Sequence, residues 1–225
     1  AFAFSRDRLA AALVSRIGQC ILTCPTTACY NGLAAAKDRE IVVGGQLRFF
    51  GDGFQSSKQL AGRRYWRVPV MDGEFVCEDR FGTAKGVGGG NLLIIGRDPA
   101  GTLQAAEQAV AAIRQLRDVI LPFPGGVVRS GSKVGSRYKT LRASTNEAYC
   151  PSLVGRVATA LPDGARCVYE LVIDGLTEQA VGDAMRVGLY AAAAHPAVQE
   201  ITAGNYGGKL GPFHFHLRKL LEDSG

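Results

Sequence analysis

The stretch CVYELVIDG, Cys167–Gly175, decides how the second half of this 225-residue chain folds. Cys167, Tyr169, Leu171 and Ile173 share one face of an extended strand, and Val168, Glu170 and Val172 share the other. Both faces are apolar apart from one carboxylate, the pattern of a strand buried on both sides. Thr177 then opens a helical pattern with Val181, Met185, Leu189 and Ala192 facing inward, and VQEITAG follows as a further strand. The same order occurs earlier. NLLIIG, Asn91–Gly96, leads to Asp98 as a helix cap and Pro99 at the first helical position. That helix turns Leu103, Ala106, Val110 and Ile113 inward before the short strand VIL. Two strand-helix-strand units predict a split βαβ, ferredoxin-like sheet with both helices on one face. Each unit ends in paired glycines after an aromatic, Phe123-Pro124-Gly125-Gly126 and Tyr206-Gly207-Gly208.

Outward from this core, the chain opens with a helix that Ser5 can cap, its apolar face formed by Leu9, Leu13, Ile17 and Cys20. Pro25 and then Asn31-Gly32 stop any continuation. The segments EIVVGGQLRFF, RRYWRVPV and GEFVCED read as strands and hairpins joined by Gly51-Asp52-Gly53 and similar turns. GVGGGN, Gly86–Asn91, reads as a tight turn ahead of NLLIIG. A dinucleotide loop would need glycine where Asn91 stands and a helix behind it. At the end of the chain, His214 and His216 alternate on what reads as a terminal strand. The fold class is therefore α+β, with expected domains at 1–80 and 81–225.

Composition bounds the function. With 47% hydrophobic residues the chain can bury a sizeable core, and no apolar run approaches the roughly 20 residues of a membrane helix. Nothing at the start resembles a signal peptide, so the cytoplasm is the expected compartment and no membrane partner is expected. Cys20, Cys24, Cys29, Cys77, Cys150 and Cys167 are spaced like no zinc or cluster motif, and they read as reduced, mostly buried thiols. No metal is expected. A formal net charge of +6 favours anionic ligands.

Much of that charge falls on PFPGGVVRSGSKVGSRYKTLRASTNEAYCPS, Pro122–Ser152. It combines the turn Gly125-Gly126 with Arg129, Ser130, Ser132, Lys133, Ser136, Thr145 and Asn146. Long loops that carry apolar anchors such as Phe123, Tyr138 and Tyr149 are ordered for a purpose. Small residues and hydroxyls here can hold an anion or oxyanion. The spacing falls short of a phosphate loop, because Ser132 separates Gly131 from Lys133 and no helix pattern follows. No nucleotide is expected. Glu170 stands alone among apolar neighbours and must pair with a cation, accept several hydrogen bonds or hold a proton. A structural strut and a catalytic acid are both open on these residues alone. Asn205 and Lys209 flank the second glycine pair as polar residues flank the first.

PFPGGVVRSGSKVGSRYK, ASTNEAYCPSL, CVYELVIDGL and ITAGNYGGKLG, with the earlier RIGQC and FFGDGFQ, resemble formylmethanofuran:tetrahydromethanopterin formyltransferases. The resemblance runs from about Arg16 to the last strand, in order and spacing, and its composition is similar to the bacterial, methylotrophic branch. It implies two lobes of ferredoxin-like type, the first incomplete here because family members carry a longer N-terminal portion. It also implies formyl transfer between N5 of tetrahydromethanopterin and the amine of methanofuran, running towards methanofuran in formaldehyde oxidation. Those anionic one-carbon carriers are co-substrates, and neither metal nor nucleotide takes part. A homotetramer, or membership of a formyltransferase/hydrolase complex, is implied as the assembly.

On this resemblance Glu170 matches the family's active-site glutamate. The expected catalytic residues are Glu170 as the proton donor and Asn146, with amides at Gly125 and Gly126 holding the formyl oxygen. Arg129, Ser130, Ser132, Lys133, Ser136, Thr145, Asn205 and Lys209 are expected on the carriers. Two readings of another class stand beside it: a non-catalytic scaffold subunit, and a basic RNA-binding module. The second lacks the aromatic signature of RNA-recognition strands, and no nucleic-acid partner is expected.

Overall fold

Ser5 caps the first helix through its hydroxyl, which accepts the Arg8 N–H at 3.3 Å, and α1 runs over Arg6–Arg16. In the computed structural model, which describes residues 1–131, 146–204 and 211–222, the chain divides into two compact units, Ala1–Lys85 and Gly86–Gly225. Leu9, Leu13 and Val14 of α1 pack, with the buried Ile17, against the core of the first unit. Cys20 does not continue that face and is exposed. The reason is a wider turn over Ile17–Ile21, where the Leu22 N–H reaches the Ile17 carbonyl at 2.8 Å and rotates the following side chains out of phase.

The first unit holds a four-stranded sheet built from β1 (Ala28–Cys29), β3 (Ser56–Leu60), β4 (Arg63–Val70) and β5 (Gly73–Glu78), in the order β1-β5-β4-β3. Ala61 and Gly62 join β3 to β4 with φ of 49° and 77°, the left-handed pair that a two-residue hairpin needs. A separate pair links β2 (Glu40–Val42) to β6 (Arg80–Gly82) and keeps residues 80–82 with this unit. The strand expected over EIVVGGQLRFF ends early. Gly44–Leu47 form a helical turn, α2, and Arg48–Gly51 a 3-10 turn. Val43 and Gly44 both donate to the Asp79 carbonyl, at 2.9 and 3.1 Å. A Cβ on Gly44 would lie 2.5 Å from the Glu78 carbonyl oxygen, so the chain turns where only glycine passes.

The second unit contains β7 (Val87–Gly96), α3 (Pro99–Ile113), β8 (Val119–Ile120), β9 (Cys167–Gly175), α4 (Glu178–Ala193), β10 (Val198–Thr202) and α5 (Leu217–Glu222). Asp98 and Thr177 cap α3 and α4, accepting the Gly101 and Ala180 N–H groups at 2.7 and 3.1 Å. The antiparallel order β10-β7-β9-β8 is the ferredoxin-like arrangement that two split βαβ units require. Leu92, Ile94, Leu171 and Ile173 form one sheet face and pack against Ala106, Val110 and Ile113 of α3 and Val181, Met185 and Ala192 of α4. The opposite face carries Glu170 and Asn91.

Two expectations in this unit are corrected. The glycines of GVGGGN do not form a turn ahead of the strand. Gly88, Gly89 and Gly90 belong to β7, where the register shifts between Val87 and Gly90 in a bulge, with Gly89 at φ 90°. The terminal stretch around His214 and His216 forms no strand. Phe215, Leu217 and Leu220 pack on the helical side of the core, and the His216 carbonyl accepts the Leu220 N–H as α5 begins.

Candidate active site

Glu170 lies in the middle of β9, 7% exposed, on the sheet face turned away from the helices. Its two oxygens have different partners. Oε1 accepts the Asn91 side-chain amide at 3.0 Å, and Oε2 accepts the Ser130 hydroxyl. No cation lies within ion-pair distance of it among the described residues. An arginine strut to Glu170 is not found among the described residues.

Ser130 reaches Glu170 because the chain returns to β9 after its excursion from β8. Val128 forms an isolated antiparallel bridge with Glu170, continuing along the edge where β8 pairs with Asp174 and Gly175. Residues that pair across an antiparallel bridge share a face, and so does the residue two along, which is Ser130. Arg129 between them is exposed. Asn91 is buried, 5% exposed, and its Oδ1 accepts the Gly204 N–H at 3.0 Å. In the sequence Asn91 stood out only as a mismatch to a glycine motif. The available signal was an amide inside the apolar run of a central strand, which must have a partner.

Gly125 and Gly126 form a 3-10 turn with φ of 70° and 88°. The Gly126 N–H donates to the Phe123 carbonyl at 2.9 Å, and a Cβ there would meet the Val110 methyls of α3 at 2.8 and 2.9 Å. Gly126 thus holds the bend and packs its backbone closely on α3. Asn146 is buried, and its carbonyl accepts the Tyr149 N–H at 3.0 Å and the Cys150 thiol at 3.3 Å. Ser132, Lys133, Ser136, Thr145, Asn205 and Lys209 lie outside the described residues.

Two further places concentrate charge. Asp174, also buried, accepts the Gly89 N–H at 3.0 Å; burial pushes its carboxyl above the ordinary value, against the smaller opposing pull of that N–H. A concave surface of about 510 Å³ in the first unit is lined by Arg63, Arg80, Glu78 and Asp79, among others. Its charges largely answer one another, with Arg63 to Glu78 at 3.5 Å and Arg80 to Asp79 at 3.7 Å. Among the described residues no group of three or more His, Cys, Asp or Glu side chains could hold a metal ion.

Residues 73–220 match the family model described as "FTR, proximal lobe", and residues 1–70 match that described as formylmethanofuran-tetrahydromethanopterin formyltransferase. The chain belongs to the formylmethanofuran-tetrahydromethanopterin formyltransferase family. Among these formyltransferases it is 52% identical over 223 residues to the enzyme of that name from Methylococcus capsulatus, covering 98% of this chain and 74% of that protein. It is 54% identical over 230 residues to a subunit of the formyltransferase/hydrolase complex of Methylorubrum extorquens, covering 98% of this chain and 73% of that subunit. The crystal structure of the formyltransferase/hydrolase complex from that organism, solved with methylofuran, superposes with a TM-score of 0.87 at 53% identity, over 97% of this chain and 73% of that one. The formyltransferase fold and family expected from the sequence are both found.

Proposed function

We propose that this chain is a formyltransferase that moves a formyl group between N5 of tetrahydromethanopterin and the amine of methanofuran. The carriers are co-substrates, and the physiological direction is from the formyl-pterin to the furan. Relatives at about half identity over nearly the whole chain carry this activity in their names. The observation that supports a site in this chain is Glu170, buried mid-strand and held by two neutral donors.

The chemistry asks for such a group. The attacking amine forms a C–N bond to the formyl carbon, the carbonyl electrons move to oxygen, and a tetrahedral oxyanion results. Collapse breaks the bond to N5, which leaves with a proton, while the attacking nitrogen loses one. Glu170 gives that proton to the leaving nitrogen and recovers one from the incoming amine. Arg129 and the basic residues 133–142 supply charge for the anionic tails of the carriers. Asn146 and Gly125 are assigned as donors to the formyl oxygen. As in the Methylorubrum relative, the chain works as a subunit of a formyltransferase/hydrolase complex, in the cytoplasm. Among the described residues no helix is long and apolar enough to cross a membrane.

The test is formyl transfer from formyl-tetrahydromethanopterin to methanofuran by the chain as it stands, beside Glu170→Gln. Gln has the same shape and can still meet Asn91 and Ser130, so the variant is expected to fold. Turnover should fall by about 10²-fold or more with KM for both carriers little changed. Unchanged turnover in the variant would dismiss the acid, and no transfer by the parent chain would dismiss the activity.

A further inference from the structure

We propose that Asn91 is a positioning residue for formyl transfer, one that confines proton exchange to the Oε2 side of Glu170, next to Ser130. This rests on Glu170 acting as the acid. Asn91 stands on β7, the strand between β9 and β10, and its amide spans both neighbours. On one side is the Gly204 N–H, 3.0 Å from Oδ1; on the other is Glu170 Oε1, 3.0 Å from Nδ2. A backbone N–H can only donate, so the amide atom facing Gly204 must be the oxygen. The NH₂ group is thereby turned to Glu170, and it too can only donate. Oε1 is held as an acceptor in every protonation state of the carboxyl.

The other oxygen has a different neighbour. Ser130 Oγ can donate or accept. When Glu170 carries its proton, that proton therefore sits on Oε2 and points to Ser130; when Glu170 is ionised, Ser130 donates instead. Asn91 and Glu170 are 79 positions apart in sequence and both nearly fully buried, so neither rotates freely to exchange roles. The result is a carboxyl with one static oxygen and one working oxygen, aligned before substrate arrives. An amide that merely filled space would satisfy the same volume without fixing which oxygen is protonated.

Asn91→Asp keeps the size and the acceptor for Gly204 but replaces the donor facing Oε1 with a second acceptor, which draws the proton of Glu170 to the wrong oxygen. Its kcat should fall about 10²-fold, with KM for both carriers within about threefold of the parent and a displaced kcat–pH profile. A kcat within about twofold of the parent, or a loss confined to KM with an unmoved pH profile, would overturn the proposal. Should the variant fail to fold, the parent chain still decides. The Asn91 side-chain amide resonance of ¹⁵N-labelled protein should shift as Glu170 titrates and stay fixed in Glu170→Gln. An amide resonance indifferent to that titration would overturn it equally. Full turnover in Glu170→Gln is a separate result, since it would remove the acid itself whatever Asn91 does.

Discussion

Val128 and Glu170 exchange both backbone hydrogen bonds, the Val128 N–H reaching the Glu170 carbonyl at 2.7 Å and the Glu170 N–H returning to Val128 at 3.0 Å. This single bridge ties the stretch after the Gly125-Gly126 turn to the strand that carries the acid, and it sets Ser130 beside the Glu170 side chain.

Val128→Pro removes the donor while keeping an extended backbone. The Glu170 carbonyl loses its partner, which should cost about 1–3 kcal/mol in urea unfolding. Ser130 would no longer be aligned, and kcat should drop by about tenfold or more, since small displacements of catalytic neighbours are expensive. Val128→Ala keeps the N–H and should leave kcat within about twofold, on the same account of alignment. If Ala lowers kcat as much as Pro, the side chain and not the bridge is what matters.

The two glycines of the turn separate by substitution. Gly126→Ala must adopt φ near 88° and also push a methyl into Val110, 2.8 Å away. Strain and overpacking together should destabilise the second unit by about 2–4 kcal/mol. Gly125→Ala meets nothing within 4 Å and pays only for its φ of 70°, about 1–2 kcal/mol. Denaturant midpoints of the two variants test the ranking. Equal losses would mean that α3 yields to the added methyl.

Local chemistry made much of this fold legible. Ser5, Asp98 and Thr177 mark helix starts because a cap is satisfied within three residues. The alternation of CVYELVIDG gave both faces of β9, and the family resemblance singled out Glu170. What could not be read depends on distant contacts. GGQLRFF leaves the sheet because Gly44 is pressed against the backbone near Glu78, far along the chain. β3 is exposed along its whole length, so SSKQL shows no apolar alternation to reveal a strand. Asn91 is the site residue that sequence reasoning missed, since its two hydrogen bonds span 79 and 113 positions.

Asp174 gives the stability a pH dependence of definite sign. Burial holds its carboxyl above the ordinary value of 3.8, while the Gly89 N–H acts in the opposite sense. The native state thus keeps the proton at pH values where the unfolded chain has released it. Native protein binds more protons there, so this group's contribution falls as pH rises from about 3.8 through the raised native value. Asp174→Asn, still able to accept from Gly89, should be more stable than the parent at pH 7. The difference should shrink strongly towards pH 3, where the parent carboxyl is mostly neutral in both states, below the roughly 3.9 of a free aspartate. Urea midpoints at the two pH values measure it. A variant less stable at pH 7 would mean that the charged form is held by more than Gly89.

Cys29 and Cys77 stand opposite each other on the parallel strands β1 and β5, and Cys77 is fully buried in the core of the first unit. Burial first, then repulsion from an ionised Cys29 and from the carboxylates of Asp79 and Glu78, push the Cys77 thiol up to about 12. At pH 8 very little of it would be thiolate, the form that reacts with alkylating agents. Iodoacetamide should therefore modify the exposed Cys20 and Cys24 in native protein and reach Cys77 only after unfolding, as peptide mass mapping would record. Cys77→Ser should destabilise the chain by about 1–3 kcal/mol, because a hydroxyl in that apolar site costs more to desolvate than a thiol. Native labelling of Cys77 at the rate of Cys20 would show that the first unit opens on the timescale of the reaction, and that the packing of Phe75 and Val68 around it does not keep solvent out.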